Sequence, residues 1–179
     1  KYKILSQYET TKFAVLSGSF APLHYGHLAI IHYIEEYFPE LTPVFELTSL
    51  NCDKGVIEPI EIDRRVQQFN KICRPLIVTQ RPNFVEKSFF FKNSSFCLGT
   101  DTLVRLNQTK YYCDSEKERK RCCSTIAKNG CSFIIFERDG VTLADIENGL
   151  VDELRALCKP AIGYVSQNIS STQLRGKQK

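Results

Sequence analysis

The 179-residue chain has no tryptophan and only three histidines, and none of its eight cysteines forms a C-x-x-C pair. No histidine lies near a cysteine at ligand spacing, which argues against a zinc site. An even cysteine count permits a disulfide framework, but a chain this long does not need one. No basic stretch followed by an apolar core and a cleavage site opens it, so a cytosolic (or nuclear) location is expected rather than secretion. The Asn-x-Ser/Thr matches at Asn93, Asn107 and Asn168 then carry no meaning as glycan acceptors. No stretch approaches the roughly 18 consecutive apolar residues of a spanning helix, so no membrane is expected as a partner. No G-x-G-x-x-G follows the first apolar run, which argues against a hydride-transferring enzyme. Repeats, low-complexity tracts and linkers are also missing. Residues 1–179 are therefore read as one domain, large enough to bury a core. The balance of 24 basic against 20 acidic residues leaves +4. That is too weak for a nucleic-acid binder and fits a protein handling small polyanions.

What is present is an alternation of short apolar runs with helical patterns. Phe13–Ser17, Val44–Thr48, Pro75–Thr79, Phe96–Leu98, Cys131–Glu137 and Ala161–Val165 read as strands. Gly26–Phe38, Ile60–Ile72, Asp101–Leu106, Ser115–Lys128 and Ile146–Cys158 read as helices, with a short helix after Asn168. Lys117-Glu118-Arg119-Lys120-Arg121 mixes both signs at helical spacing and reads as a solvated face. The alternation predicts an α/β fold with a mostly parallel sheet and helices on both faces. Arg81–Ser95 is the least regular stretch. Its Phe84, Phe89, Phe90 and Phe91 fit either a hydrophobic lid or second core, or a wall of a ligand pocket.

The first strand runs into Gly18-Ser19-Phe20-Ala21-Pro22-Leu23-His24-Tyr25-Gly26-His27. In an open α/β sheet, ligands bind beyond the carboxyl ends of the strands. Gly18 would let the backbone approach an anion, and Gly26 would give a tight entry into the helix. His24 and His27, three residues apart, can face one point beside the positive end of the helix dipole. Two imidazoles and free amides make a cradle for a phosphate chain. His32, one turn further on, reads as a partly exposed helix residue. Near the other end, Asn168-Ile169-Ser170-Ser171-Thr172-Gln173-Leu174-Arg175 carries a capping box with Ser170 as N-cap and Gln173 at N3. The amides of Ser171 and Thr172 would point out of the helix start, and Arg175 leans back over them as a forked phosphate clamp.

G-S-F-x-P-x-H-x-G-H resembles the signature of the nucleotidylyltransferase superfamily, and I-S-S-T-x-L-R resembles the second phosphate motif of the nicotinamide and nicotinate mononucleotide adenylyltransferases. Matching segments run from about Phe13 to Arg175. Ala21 departs from the Asn or Asp common at that position. The resemblance implies a Rossmann-like fold and transfer of AMP from ATP to a mononucleotide phosphate, with pyrophosphate released. It implies that His24 and His27 lie at the reacting phosphate, and that Gly18, Ser19 and Phe20 with Ser170, Ser171, Thr172 and Arg175 bind the nucleotide phosphates. Gly99 and Asp101, in a segment similar to the family's G-x-D-x-L, would contact the adenosine ribose, although Asp101 could simply cap its helix. Asn51 and Lys54 resemble the family's N-x-x-K, where the lysine neutralises phosphate charge. Asn51, Arg65 and Tyr111 are candidates on the acceptor side, where relatives usually present a tryptophan that this chain lacks. The attacking phosphate is already an anion, so positioning and charge neutralisation suffice: protonated imidazole, Lys54, Arg175 and a helix N-terminus, with Mg²⁺ arriving on the ATP phosphates and no dedicated protein-held metal. The expected partners are ATP and a small phosphorylated acceptor. Alternatives are a different acceptor, such as pantetheine phosphate or a phospho-alcohol, a non-catalytic nucleotide sensor, and a fragment of a class I aminoacyl-tRNA synthetase, for which the chain is short.

Overall fold

A computed structural model describes residues 11–51, 55–167 and 174. The chain opens with β1 (Phe13–Ser17), α1 (Tyr25–Tyr37) and β2 (Thr42–Thr48). A small hairpin of β3 (Leu50–Asn51) and β4 (Gly55–Val56) leads to α2 (Pro59–Lys71) and β5 (Leu76–Thr79). Then come α3 (Phe84–Phe90), β6 (Ser95–Gly99), α4 (Thr100–Leu106), a 3-10 turn at Thr109–Tyr112, α5 (Glu116–Lys128) and β7 (Ser132–Phe136). The described part closes with α6 (Leu143–Ile146), a 3-10 turn at Glu147–Gly149, α7 (Asp152–Arg155) and β8 (Cys158–Pro160).

The main sheet has six strands in the order β5-β2-β1-β6-β7-β8, and every pairing in it is parallel. Such strands are buried on both faces, so they read as continuous apolar runs. Phe13 and Val15 of β1 enter one core, with Phe91, Leu103, Cys123, Ile126 and Leu154 from the helices on that side. Ala14 and Leu16 enter the other, with Ile31 and Ile34 of α1 and Phe69 of α2. The chain winds outward from β1 in one direction and from β6 in the other. The order therefore reverses between β1 and β6, and a crevice opens there at the carboxyl ends of the strands.

Three expectations change. The helix expected over Ile146–Cys158 is broken into a 3-10 turn and a single turn of α-helix. The Thr142–Asp145 capping box starts a helix earlier, and Asn107 takes the backbone groups around the break: its amide donates to the Gly149 carbonyl at 2.7 Å and its oxygen accepts from Val151 N–H at 3.2 Å. The last described strand lies at Cys158–Pro160 rather than Ala161–Val165, because the ladder to β7 ends at Pro160; Ile162 and Val165 are exposed. Pro160 is tolerated because β8 is an edge strand. Arg81–Ser95 is not irregular: it contains α3, whose N-cap Asn83 accepts from Glu86 N–H. Its phenylalanines divide. Phe91 is in the core and Phe84 packs against it, while Phe89 and Phe90 are exposed. The short helix expected after Asn168 lies outside the described residues, Leu174 excepted. Among the described residues, no helix is long and apolar enough to cross a membrane.

Candidate active site

The turn between β1 and α1 is built from its buried side. Phe20 takes a left-handed backbone conformation (φ 47°) and buries its ring against Phe45 and Phe69. A β-carbon on Gly18 would stand 2.8 Å from that ring, so Gly18 makes room for Phe20. Helix α2 fastens the rest of the turn. Gln68 accepts from Leu23 N–H at 2.8 Å and donates to the Phe20 carbonyl at 2.9 Å. Arg65 joins Glu61 to the Ser19 carbonyl, at 2.8 Å and 3.0 Å.

His24 is the N-cap of α1 and His27 its third residue. Their rings stack, with centroids 3.7 Å apart and planes inclined by 25°, and the edge of Phe20 backs His27 at 5.0 Å. Gly26 permits this: a β-carbon there would sit 3.1 Å from Nδ1 of His24. The His24 N–H donates to Nδ1 of His27 at 3.2 Å, so a neutral His27 carries its proton on Nε2. Nδ1 of His24 is shut off from solvent and has no hydrogen-bond partner among the described residues.

Burial, and after it the positive charge of Arg138, hold the His24 imidazole below its ordinary range. Burial, then His24, then Arg138 push His27 down to about 3. Both shifts favour neutral rings in the unliganded site, and an incoming polyanion would favour their protonation. The acid stability of the fold follows. With a folded value of about 3 against an ordinary 6.5, His27 binds its proton first in the unfolded chain. Its contribution is complete above pH 6.5 and is lost as the pH falls from 6.5 toward 3. Thermal melts across that window show a falling midpoint, and His27→Gln shows a shallower fall; equal slopes would remove His27 from the acid transition.

Opposite the histidines, β6 ends at Gly99 and opens α4. Gly99 is the N-cap, no side-chain capping bond forms there, and Asp101 lies in the first turn. Its side chain is 56% exposed, with Arg105 at 3.5 Å. Asp101 therefore does not cap its helix; it lines a cleft of about 300 Å³ together with Ser19, His24, His27 and Gly99. Arg138, just past the end of β7, lines the same cleft. Sequence reading passed over it, yet it is the first cation beyond the carboxyl end of a buried parallel strand, which is a usable signal. Tyr164, Ser166 and Gln167 close the cleft from the chain's far end. Tyr164 is held there by ring contacts to Tyr33 and Phe136, and Gln167 lies beside Gly26.

Thr102 and Arg105 are shared with a second, larger cavity of about 700 Å³ between α3, α4, the Thr109–Tyr112 turn and α5. Phe84, Tyr111 and Tyr112 line it, with Lys110, whose ammonium sits 5.0 Å from the Tyr111 ring centroid. The structure thus brings Ser19, His24, His27, Gly99 and Asp101 together and puts Tyr111 in the adjoining cavity. Gly18, Phe20 and Arg65 line neither cavity; they support the turn. Asn51 lies in β3. Lys54, Ser170, Ser171, Thr172 and Arg175 lie outside the described residues.

No family model matches the chain. A curated relative, the probable nicotinate-nucleotide adenylyltransferase of Fusobacterium nucleatum, is 26% identical over 196 residues, covering 94% of this chain and 88% of the relative. The Plasmodium falciparum nicotinic acid mononucleotide adenylyltransferase has a similar fold. Its complex with NaAD aligns with a TM-score of 0.56 at 15% identity, covering 93% of this chain and 83% of that one. Its complex with APC aligns with a TM-score of 0.53 at 14% identity, with the same coverage. In sequence motifs and in fold, the chain is nucleotidylyltransferase-like and similar to the nicotinate and nicotinamide mononucleotide adenylyltransferases.

Proposed function

We propose that this protein is an adenylyltransferase that moves AMP from ATP to the 5′-phosphate of nicotinate or nicotinamide mononucleotide. One observation carries this: the stacked His24–His27 pair lines, with Gly99 and Asp101, a cleft at the sheet's switch point, and that cleft shares Thr102 and Arg105 with an aromatic cavity. A second cavity within the usual ligand range of about 300–1,000 Å³ suits a mononucleotide. The names of the similar proteins, all nicotinate nucleotide adenylyltransferases, favour the acid form of the acceptor.

In this reaction an acceptor phosphate oxygen attacks the α-phosphorus of ATP in line. The new P–O–P bond forms as the bond from the α-phosphorus to the β-bridging oxygen breaks, and the electron pair leaves with pyrophosphate. No general base is needed. His24, His27 and the start of α1 would stabilise the reacting phosphate, with Arg138 adding positive charge, while Asp101 would hold ribose hydroxyls and Tyr111 would face the acceptor's ring. Ser170, Ser171, Thr172 and Arg175 would bind the nucleotide phosphates, as their motif implies. Lys54 would neutralise phosphate charge, as its motif implies. The cleft's donors are imidazole and guanidinium with two carboxylates, Asp101 and Glu137. That set fits Mg²⁺ held by the nucleotide's own oxygens, where it would neutralise phosphate charge.

The test is pyrophosphate release from ATP with nicotinate mononucleotide, nicotinamide mononucleotide, pantetheine phosphate or a phospho-alcohol. Release with the first two, and formation of the dinucleotide, is the expected result. An ATP-stabilised protein that releases pyrophosphate with none of them would be a nucleotide sensor; release only with the others would move the acceptor assignment.

A further inference from the structure

Glu46 is 0% exposed and Lys87 4%. The Lys87 ammonium lies 2.7 Å from the Glu46 carboxylate, beneath the candidate site, and no step of the proposed transfer uses either group. A plain structural role does not need them, because a buried ion pair can often be replaced by apolar groups of similar volume without loss of stability. Their bonds, however, form a closed ring. Lys87 also donates to the Ser17 hydroxyl at 3.2 Å. Ser17 is followed by Gly18, whose N–H donates to the backbone carbonyl of Glu46 at 3.0 Å. The phosphate turn is thus tied to Glu46 by its backbone and, through Lys87, by the carboxylate.

The other carboxylate oxygen is tied to the segment that leads into the second cavity's wall. It accepts from the Thr79 hydroxyl, and the same hydroxyl accepts from Arg81 N–H at 3.2 Å. Pro82, Asn83, Phe84, Val85 and Glu86 line that cavity. The wall is thus flanked by Arg81 and Lys87, of which Lys87 bonds Glu46 directly and Arg81 reaches it through the Thr79 hydroxyl. Resting on the adenylyltransfer proposed above, we infer that Glu46 and Lys87 are positioning residues: they hold the acceptor wall in register with the phosphate turn, so that attacking oxygen and α-phosphorus meet in line.

The test compares the wild-type chain with Glu46→Gln/Lys87→Met, which removes both charges, keeps volume and leaves an acceptor for Thr79. With a near-normal melting temperature, kcat falls about 10- to 100-fold while the dissociation constants for ATP and for nicotinate mononucleotide move far less, because misplacement of about 1 Å costs rate rather than binding. A folded double variant with kcat within about twofold of wild type would overturn the assignment. Should that variant not fold, Thr79→Val cuts only the link between Glu46 and Arg81. It lowers kcat in the same way, and an unchanged kcat would again overturn the assignment. Hydrogen exchange supplies a readout without turnover. ATP slows exchange at residues 82–91 in wild type and not in the double variant; equal slowing in both sinks the coupling. A wild-type protein that releases no pyrophosphate would instead remove the reaction, with the exchange comparison still deciding the coupling.

Discussion

His24→Ala lowers kcat about 100-fold or more, equivalent to about 2.7 kcal/mol of transition-state stabilisation, the scale of one preorganised donor. The fold should tolerate the change. The His27 backbone N–H, which the His24 side chain meets in the capping box of α1, also donates to the His24 carbonyl at 3.0 Å, and truncation leaves that bond in place. The ring's stacking on His27 is lost, but His27 keeps the edge of Phe20 behind it. A normal melting temperature with a hundredfold slower pyrophosphate release is the expected pair of results. A folded variant with unaltered turnover would take the histidine out of the chemistry.

Arg138→Ala comes next in size. The guanidinium lines the cleft with both imidazoles and Gly99, and it is about one-third exposed, so it can meet a ligand without first being dug out of the core. Loss of a charge-assisted phosphate contact costs about 10- to 100-fold in kcat/KM for ATP. The variant has a second signature. Arg138 contributes to the lowered proton affinity of both His24 and His27, although burial contributes more. Without it both imidazoles titrate at higher pH, yet His27 stays below its ordinary 6.5 because burial and His24 remain. Histidine NMR titrations follow the shift directly. Unmoved titrations together with unchanged ATP kinetics would show that Arg138 faces solvent rather than the ligand.

Much of the architecture was legible from local chemistry. Phe13–Ser17 reads as a strand because four successive residues are apolar, and it is one. Helix α5 stops before Asn129-Gly130 as expected, with Ser115 capping its start by accepting from Glu118 N–H. The histidine turn could be read because Gly and Pro place the two imidazoles at fixed spacing between a strand and a helix. Failures occurred where distant groups outbid local preference. The pattern over Ile146–Cys158 is helical, but Asn107, some forty residues earlier, takes the backbone groups that a helix would have paired. The Arg81–Ser95 stretch looked irregular because α3 is short and its amphipathicity is masked by four phenylalanines, two of which face solvent.

The sequence by itself determined most of the strands and helices, β1 and α5 among them, and that a turn carrying two histidines joins the first strand to the first helix, since both depend on side chains within a few positions of each other. Only the tertiary structure decided which of the described cations and carboxylates come together. Glu46 sits in an apolar strand with its counter-ion 41 residues away, and Arg138 meets His24 and His27 only because β7 lies next to β6 and β6 next to β1. Electrostatic partners are chosen by distance in space, and a linear pattern carries no record of that distance until the sheet order is set.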